Sequence, residues 1–234
     1  MLTFWFFRAR LHMKRKLLIL LIASAVPAQA ATVSGKVSFV SKRGQNPVFN
    51  ETLVSLEPAN GKLIRKSPAT FTMMTRGKML IPHVMAIPVG STVEFPNEDP
   101  ISHNLFSLSS ANSFDLGLYR KGAGKSRKFD TPGLVNVYCN VHPSMSSVIQ
   151  VMSTPYFVLA DAAGNYALTD VPPGKYRLVV WNEIGGQVEA PLEISSSGTV
   201  SGNTAVTLDS RSYRATQHLN KNGKPYEAPS LKDY

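Results

Sequence analysis

The chain has 234 residues, with 25 lysines and arginines against 15 aspartates and glutamates, a formal net charge of +10. Hydrophobic residues make up 43% of it, enough apolar side chain to fill one large core or two small ones, which excludes wholesale disorder. The lone cysteine, Cys139, excludes an internal disulfide framework and a four-cysteine zinc site, and leaves five histidines for metal or acid–base work: His12, His83, His103, His142 and His218.

Residues 1–30 read as a secretory signal. From a start at Met1 or Met13, the basic residues Lys14, Arg15 and Lys16 precede an apolar run over 17–26 and a small-x-small site, Ala28-Gln29-Ala30. Cleavage is expected after Ala30. The ten-residue run is too short to cross a bilayer, which needs about 20 residues, so no transmembrane anchor is expected after removal. The expected location is the periplasm. Loss of Arg8, Arg10, Lys14, Arg15 and Lys16 leaves 20 basic against 15 acidic residues, a net +5, and removes most of the case for a nucleic-acid partner.

Beyond the signal, helical periodicity is nearly absent. Short alternating or β-branched runs follow one another over 35–41, 52–56, 92–95, 134–139, 147–152, 175–181, 192–194 and 204–208. Separated by Gly, Pro, Asn and Asp, they predict an all-β sandwich. Asp161-Ala-Ala-Gly164-Asn165 is a turn between two strands. Val171-Pro-Pro-Gly174-Lys175 is a tight connection, because its prolines have no N–H to give a central ladder. Residues 210–234 are polar, basic and weakly patterned, either a tail or a strap.

Chemistry concentrates in Tyr138-Cys139-Asn140-Val141-His142-Pro143-Ser144-Met145, which closes a predicted strand, and in His103-Asn104 upstream. A thiolate, two imidazoles and a weak axial thioether are the donor set of a blue-copper electron-transfer site. The soft thiolate binds both copper oxidation states, the imidazoles suit either, and a distant thioether tunes the potential. Zinc is the second choice of metal, although a structural zinc site normally uses more cysteines or histidines and no methionine. An unpaired cysteine in an exported chain is prone to oxidation unless a metal occupies it.

These residues resemble the cupredoxins, plastocyanin-, pseudoazurin- and especially amicyanin-like, in the Cys-x-x-His-Pro-x-Met loop. The resemblance extends over Ile87-Pro-Val-Gly90-Ser-Thr-Val-Glu-Phe95, His103-Asn104 and 129–151. It implies His103, Cys139 and His142 as equatorial ligands of one type 1 copper, Met145 as the axial ligand, and Asn104 as the residue that ties the ligand loops together. With these ligands the metal keeps no open position, so the expected role is a non-catalytic one-electron carrier. A copper-trafficking or storage module is the alternative. The patterns at 95–97, 114–117 and 155–157 are similar to periplasmic cupredoxins of the methylamine utilisation type.

Two further segments, Val33-Ser-Gly-Lys-Val37 to Val54-Ser-Leu-Glu-Pro58 and 161–178, resemble the early and late strands of a carboxypeptidase-regulatory (transthyretin-like) domain. That resemblance implies a Greek-key cupredoxin over 67–153 inserted in a β-sandwich made of 31–66 and 154–209, with a tandem fusion as the alternative and 210–234 as a tail.

Two weaker signals remain. Met73, Met74, Met79, His83 and Met85 are either a second copper site, since thioethers select Cu(I), or, more commonly, core filler. Arg120, Lys121, Lys125, Arg127 and Lys128 crowd a Gly-containing loop that is either a docking patch for an acidic redox partner or a solvated hairpin tip. Docking near His142 and Pro143 is the other expectation for a redox partner.

Overall fold

A computed structural model describes residues 29–61, 64 and 66–226. Residues 1–28 of the expected signal, 1–30, and the end of the expected tail, 227–234, lie outside the described residues. No α-helix occurs among the described residues, and none of them forms a helix long and apolar enough to cross a membrane.

Eighteen strands follow in order among the described residues. β1 (Ala31–Val40) buries Ala31, Val33 and Val37 and exposes Thr32, Ser34 and Lys36, the period of two of a half-covered strand. β2 (Leu53–Pro58) buries four successive residues, as a strand covered on both faces must. Next come β3 (Thr70–Thr72), β4 (Met74–Arg76), β5 (Met79–Ile81), β6 (Val84–Pro88), β7 (Thr92–Asn97), β8 (His103–Ser107), β9 (Phe114–Tyr119), β10 (Gly122–Lys128), β11 (Gly133–Cys139) and β12 (Ser146–Met152). The chain then continues through β13 (Phe157–Leu159), β14 (Asn165–Val171), β15 (Gly174–Asn182), β16 (Gly186–Ile194), β17 (Val200–Gly202) and β18 (Ala205–Asp209).

These strands form four sheets around two cores. The sheets β6-β12-β11-β8-β9 and β10-β7-β4-β5 enclose Met73, Ile87, Val93, Phe95, Leu105, Phe129, Val135, Val137 and Ile149. The sheets β14-β1-β18 and β13-β2-β15-β16-β17 enclose Val33, Val37, Val54, Leu56, Leu178, Val180 and Leu208. Burial of this many branched and aromatic side chains, each contributing about 1.5–3 kcal/mol, is what holds the sheets face to face. In β8 all five residues are buried, which places His103 and Asn104 in the interior.

The basic stretch departs from the sequence reading. Residues 122–128 are not a loop but β10, paired antiparallel with β7 and exposed at every residue. Period-two apolar patterning is missing there because β10 is an edge strand with no face on the core, so its hydrogen bonds to β7 carry it. Gly124, at φ +73°, permits this: a Cβ there would lie 1.8 Å from the Phe95 carbonyl oxygen. Arg120 and Lys121 connect β9 to β10, which belong to different sheets, so they are no hairpin tip.

Candidate metal centre

Three ligand-type side chains converge at one end of the first sandwich. His103 begins β8, Cys139 ends β11, and His142 sits in the short turn leading to β12. Strand pairing sets their relation, since Cys139 lies opposite Leu105, and the Asn140 N–H continues the ladder to the Asn104 carbonyl at 2.8 Å. The turn is closed by Met145 N–H on the His142 carbonyl at 3.0 Å and Cys139 N–H on the Met145 carbonyl at 3.1 Å.

Within this frame His103 Nδ1 lies 3.2 Å from His142 Nδ1, and Cys139 Sγ lies 3.7 Å from the first and 3.5 Å from the second. A triangle with these sides has its circumcentre about 2.0 Å from each corner. That distance matches a first-row metal–imidazole bond and falls slightly short of a metal–thiolate bond, about 2.0–2.1 and 2.3 Å for zinc. One imidazole of each kind of loop and the thiolate therefore fit around a single small cation. Among the described residues this is the one cluster of three His, Cys, Asp or Glu side chains with metal-binding geometry.

His103 is held for that task from behind. Its Nε2 is 2.9 Å from Asp99 Oδ2, and both side chains are buried. Burial opposes ionisation of Asp99, but donation from the Lys78 N–H, from His103 and from the Gly77 N–H outweighs it and holds the carboxyl below the usual range. An ionised Asp99 accepts the Nε2 proton, which leaves the Nδ1 lone pair of His103 directed into the cluster, the arrangement by which outer carboxylates fix metal-binding histidines. His142 is half-buried at the surface. Its pKa is lowered, first by burial and then by the neighbouring His103 and Lys78, with Asp99 opposing, which favours the neutral ring at pH 7.

Asn104 bridges the two ligand-bearing segments through its main-chain carbonyl, while its side-chain amide donates to Asp115 Oδ1 at 2.6 Å. Met145 is buried in the core cluster beside Cys139. Of the methionine group, Met73 and Met85 are core residues, Met79 is 58% exposed, and Ser147 Oγ lies 3.3 Å from the Met73 sulfur. His83 is occupied at both nitrogens, by the Ser146 carbonyl at 3.2 Å and Glu183 at 2.5 Å. Both partners are acceptor oxygens, so the ring nitrogens are engaged as donors, and the Glu183 hydrogen bond is the chief cause of a raised pKa.

Sequence reasoning missed one part of the site and left another open. Asp99 stands four residues before His103, a spacing visible in the chain but too common to single out. The part left open is the carboxy-terminal segment, expected as either a tail or a strap, which returns across the loop. Tyr226 Oη donates to the Cys139 carbonyl at 3.0 Å, and the Lys221 N–H donates to Asn140 Oδ1 at 3.0 Å.

No family model and no curated protein matches the chain. Among solved structures, a copper-containing nitrite reductase from Thermus scotoductus SA-01 is 23% identical over 50% of this chain and 28% of its own, with a TM-score of 0.35. A purple cupredoxin from Nitrosopumilus maritimus is 23% identical over 35% of this chain and 99% of its own, with a TM-score of 0.30. A reduced amicyanin variant is 17% identical over 44% of this chain and 99% of its own, with a TM-score of 0.34.

Proposed function

We propose that the chain is an exported type 1 copper protein that carries one electron at a time. The observation behind this reading is the convergence of His103 Nδ1, His142 Nδ1 and Cys139 Sγ at 3.2–3.7 Å from one another. Copper bound there would supply a one-electron step between Cu(II) and Cu(I). In this reading His103, Cys139 and His142 would hold the copper, with Met145, buried in the same core cluster as Cys139, as a weaker fourth ligand. With His103 and Cys139 fully buried, water is kept from the thiolate. Asp99 and the strand ladders fix the ligand positions, so that little rearrangement accompanies a change of oxidation state. Four protein ligands leave no position for a substrate, which favours a carrier over an enzyme.

The half-buried edge of His142, beside Pro143, is the point where electrons enter and leave in this account. Arg120, Lys121, Lys125, Arg127 and Lys128 are exposed on and beside edge strand β10, and they form the docking face for an acidic redox partner. The signal over 1–30 sends the chain to the periplasm. We also infer that the cupredoxin unit, 67–153, is set into a second sandwich of 31–66 and 154–209. In support, β1 pairs with β14 and β18, and β2 pairs with β13 and β15.

Repeated oxidation and reduction of the copper-loaded protein in the presence of a Cu(I) chelator tests the role. Retention of one copper through many cycles supports a carrier. Loss of the metal on first reduction contradicts it and favours a trafficking or storage module.

A further inference from the structure

The carboxy-terminal segment after β18 does not run free. The carbonyl of Ser210 accepts the Tyr213 N–H at 3.1 Å, and the chain then crosses toward the end of β11. At 220–224 it closes a tight turn. There the Asn220 N–H donates to the Lys224 carbonyl at 2.8 Å, and Asn220 Oδ1 accepts the Asn222 and Lys224 N–H groups at 3.0 and 3.1 Å.

Shaped in this way, the segment touches three successive residues of the metal loop with three different groups. The His218 ring stacks on Tyr138 at 4.2 Å and 15°. Tyr226 Oη donates to the Cys139 carbonyl at 3.0 Å. The Lys221 N–H donates to Asn140 Oδ1 at 3.0 Å, and Lys221 Nζ reaches Asp115 Oδ2 at 2.8 Å, the same carboxylate that receives the Asn104 amide. Tyr226 also stands edge-on to His218 at 5.4 Å, which braces the stack. The buried Nε2 of His218 has no hydrogen-bond partner among the described residues. Such a nitrogen is costly to bury, so the ring is held there by its stacking and by its neighbours rather than by that atom.

We propose that this strap, through Tyr226 and Lys221, positions the Cys139–His142 loop and so sets how tightly and in what geometry the metal is held. The inference rests on the reading of the cluster as a copper centre. Cys139 is the residue most affected: its N–H is fixed by the Met145 carbonyl and its C=O by Tyr226, so both peptide groups flanking the thiolate are tethered. Without the strap, the carbonyl tether of Cys139 and the side-chain tether of Asn140 are lost together, and the loop between β11 and β12 gains freedom. Tyr226 and Lys221 are positioning residues; neither touches the metal-facing atoms.

The test compares the full chain with Tyr226→Phe and with a chain ending at Ser210. Loss of one net hydrogen bond is expected to speed exchange of the hydrogen-bonded amides of Cys139, Asn140 and Met145 in the metal-free protein by roughly 3- to 10-fold. In the copper-loaded protein, release to a chelator should quicken by a similar factor, and the thiolate-to-copper absorption and the reduction potential should shift. Tyr226→Phe, which removes one oxygen, guards against misfolding of the shortened chain. If the wild type is blue and both variants match it within twofold in exchange and release, the proposal is overturned while the copper reading stands. Faster exchange with unmoved absorption, potential and release makes the strap a structural tie only and also overturns it. A wild type that takes up no copper removes the copper reading and this inference together.

Discussion

Replacement of Asp99 by alanine is predicted to destabilise the metal-free protein by about 2–4 kcal/mol. Asp99 is 6% exposed and accepts three donors: His103 Nε2 at 2.9 Å, the Gly77 N–H at 2.6 Å and the Lys78 N–H at 3.0 Å. His103 is fully buried, so its stranded Nε2 proton alone costs about 1–3 kcal/mol. Gly77 and Lys78 are exposed and can turn to water, so their two bonds add about 1 kcal/mol net. Part of that comes from Lys78, a non-glycine residue at φ 58°, whose turn depends on the carboxylate. Asp99→Asn keeps an acceptor and should lose about half as much.

Urea denaturation at pH 7, with an unchanged slope, reads these differences. An alanine variant within 0.5 kcal/mol of wild type, or an asparagine variant less stable than the alanine one, refutes the reasoning. The pH dependence follows from the lowered pKa of Asp99. Its contribution is complete above the unfolded carboxyl value, near 3.8, and is lost as the pH falls through the lower folded value. The gap between wild type and Asp99→Ala should therefore narrow below pH 4. In the metal-loaded state the same variant should bind copper roughly 10- to 100-fold more weakly in a competition titration.

Three other outcomes are expected. His83 has a raised pKa from its bond to Glu183, so the stability it adds is present below its unfolded value of 6.5 and fades as the pH rises through the folded one. The stability lost in Glu183→Gln should thus be larger at pH 6 than at pH 8.5 in denaturant titrations, and equal losses at both contradict the pairing. Gly124→Ala should destabilise the sandwich by more than about 1 kcal/mol, because the new Cβ meets the Phe95 carbonyl and the residue needs φ +73°; thermal melting reads it. Charge reversal at Lys125 and Arg127 should slow electron exchange with an acidic partner most at low ionic strength. Stopped-flow rates that do not respond to salt contradict docking on β10.

What was legible in the chain follows from how local the signals are. Cys139, His142 and Met145 occur within seven positions after an alternating strand, so their proximity is encoded by a single turn, and the structure closes that turn with two hydrogen bonds. The strands expected over 134–139, 147–152 and 175–181 appear as Gly133–Cys139, Ser146–Met152 and Gly174–Asn182, because each carries the period or branched residues of a core-facing strand. β10 escaped because an edge strand exposed throughout has no apolar pattern to read. β3 to β5 escaped because three-residue strands carry too little pattern. The choice between tail and strap stayed open for a different reason: the strap's contacts join residues 81 to 106 positions apart, through a hydroxyl, an amide N–H and an ammonium that no periodicity marks.

The central claim is that Cys139, His103 and His142 hold one copper through the thiolate. The most direct test is the visible spectrum of the purified protein titrated with Cu(II), beside Cys139→Ser. The account predicts an intense blue thiolate-to-copper band that saturates at one equivalent, bleaches on reduction, and is missing from the serine variant. A wild type that stays colourless at one equivalent, or a band that survives in Cys139→Ser, contradicts it.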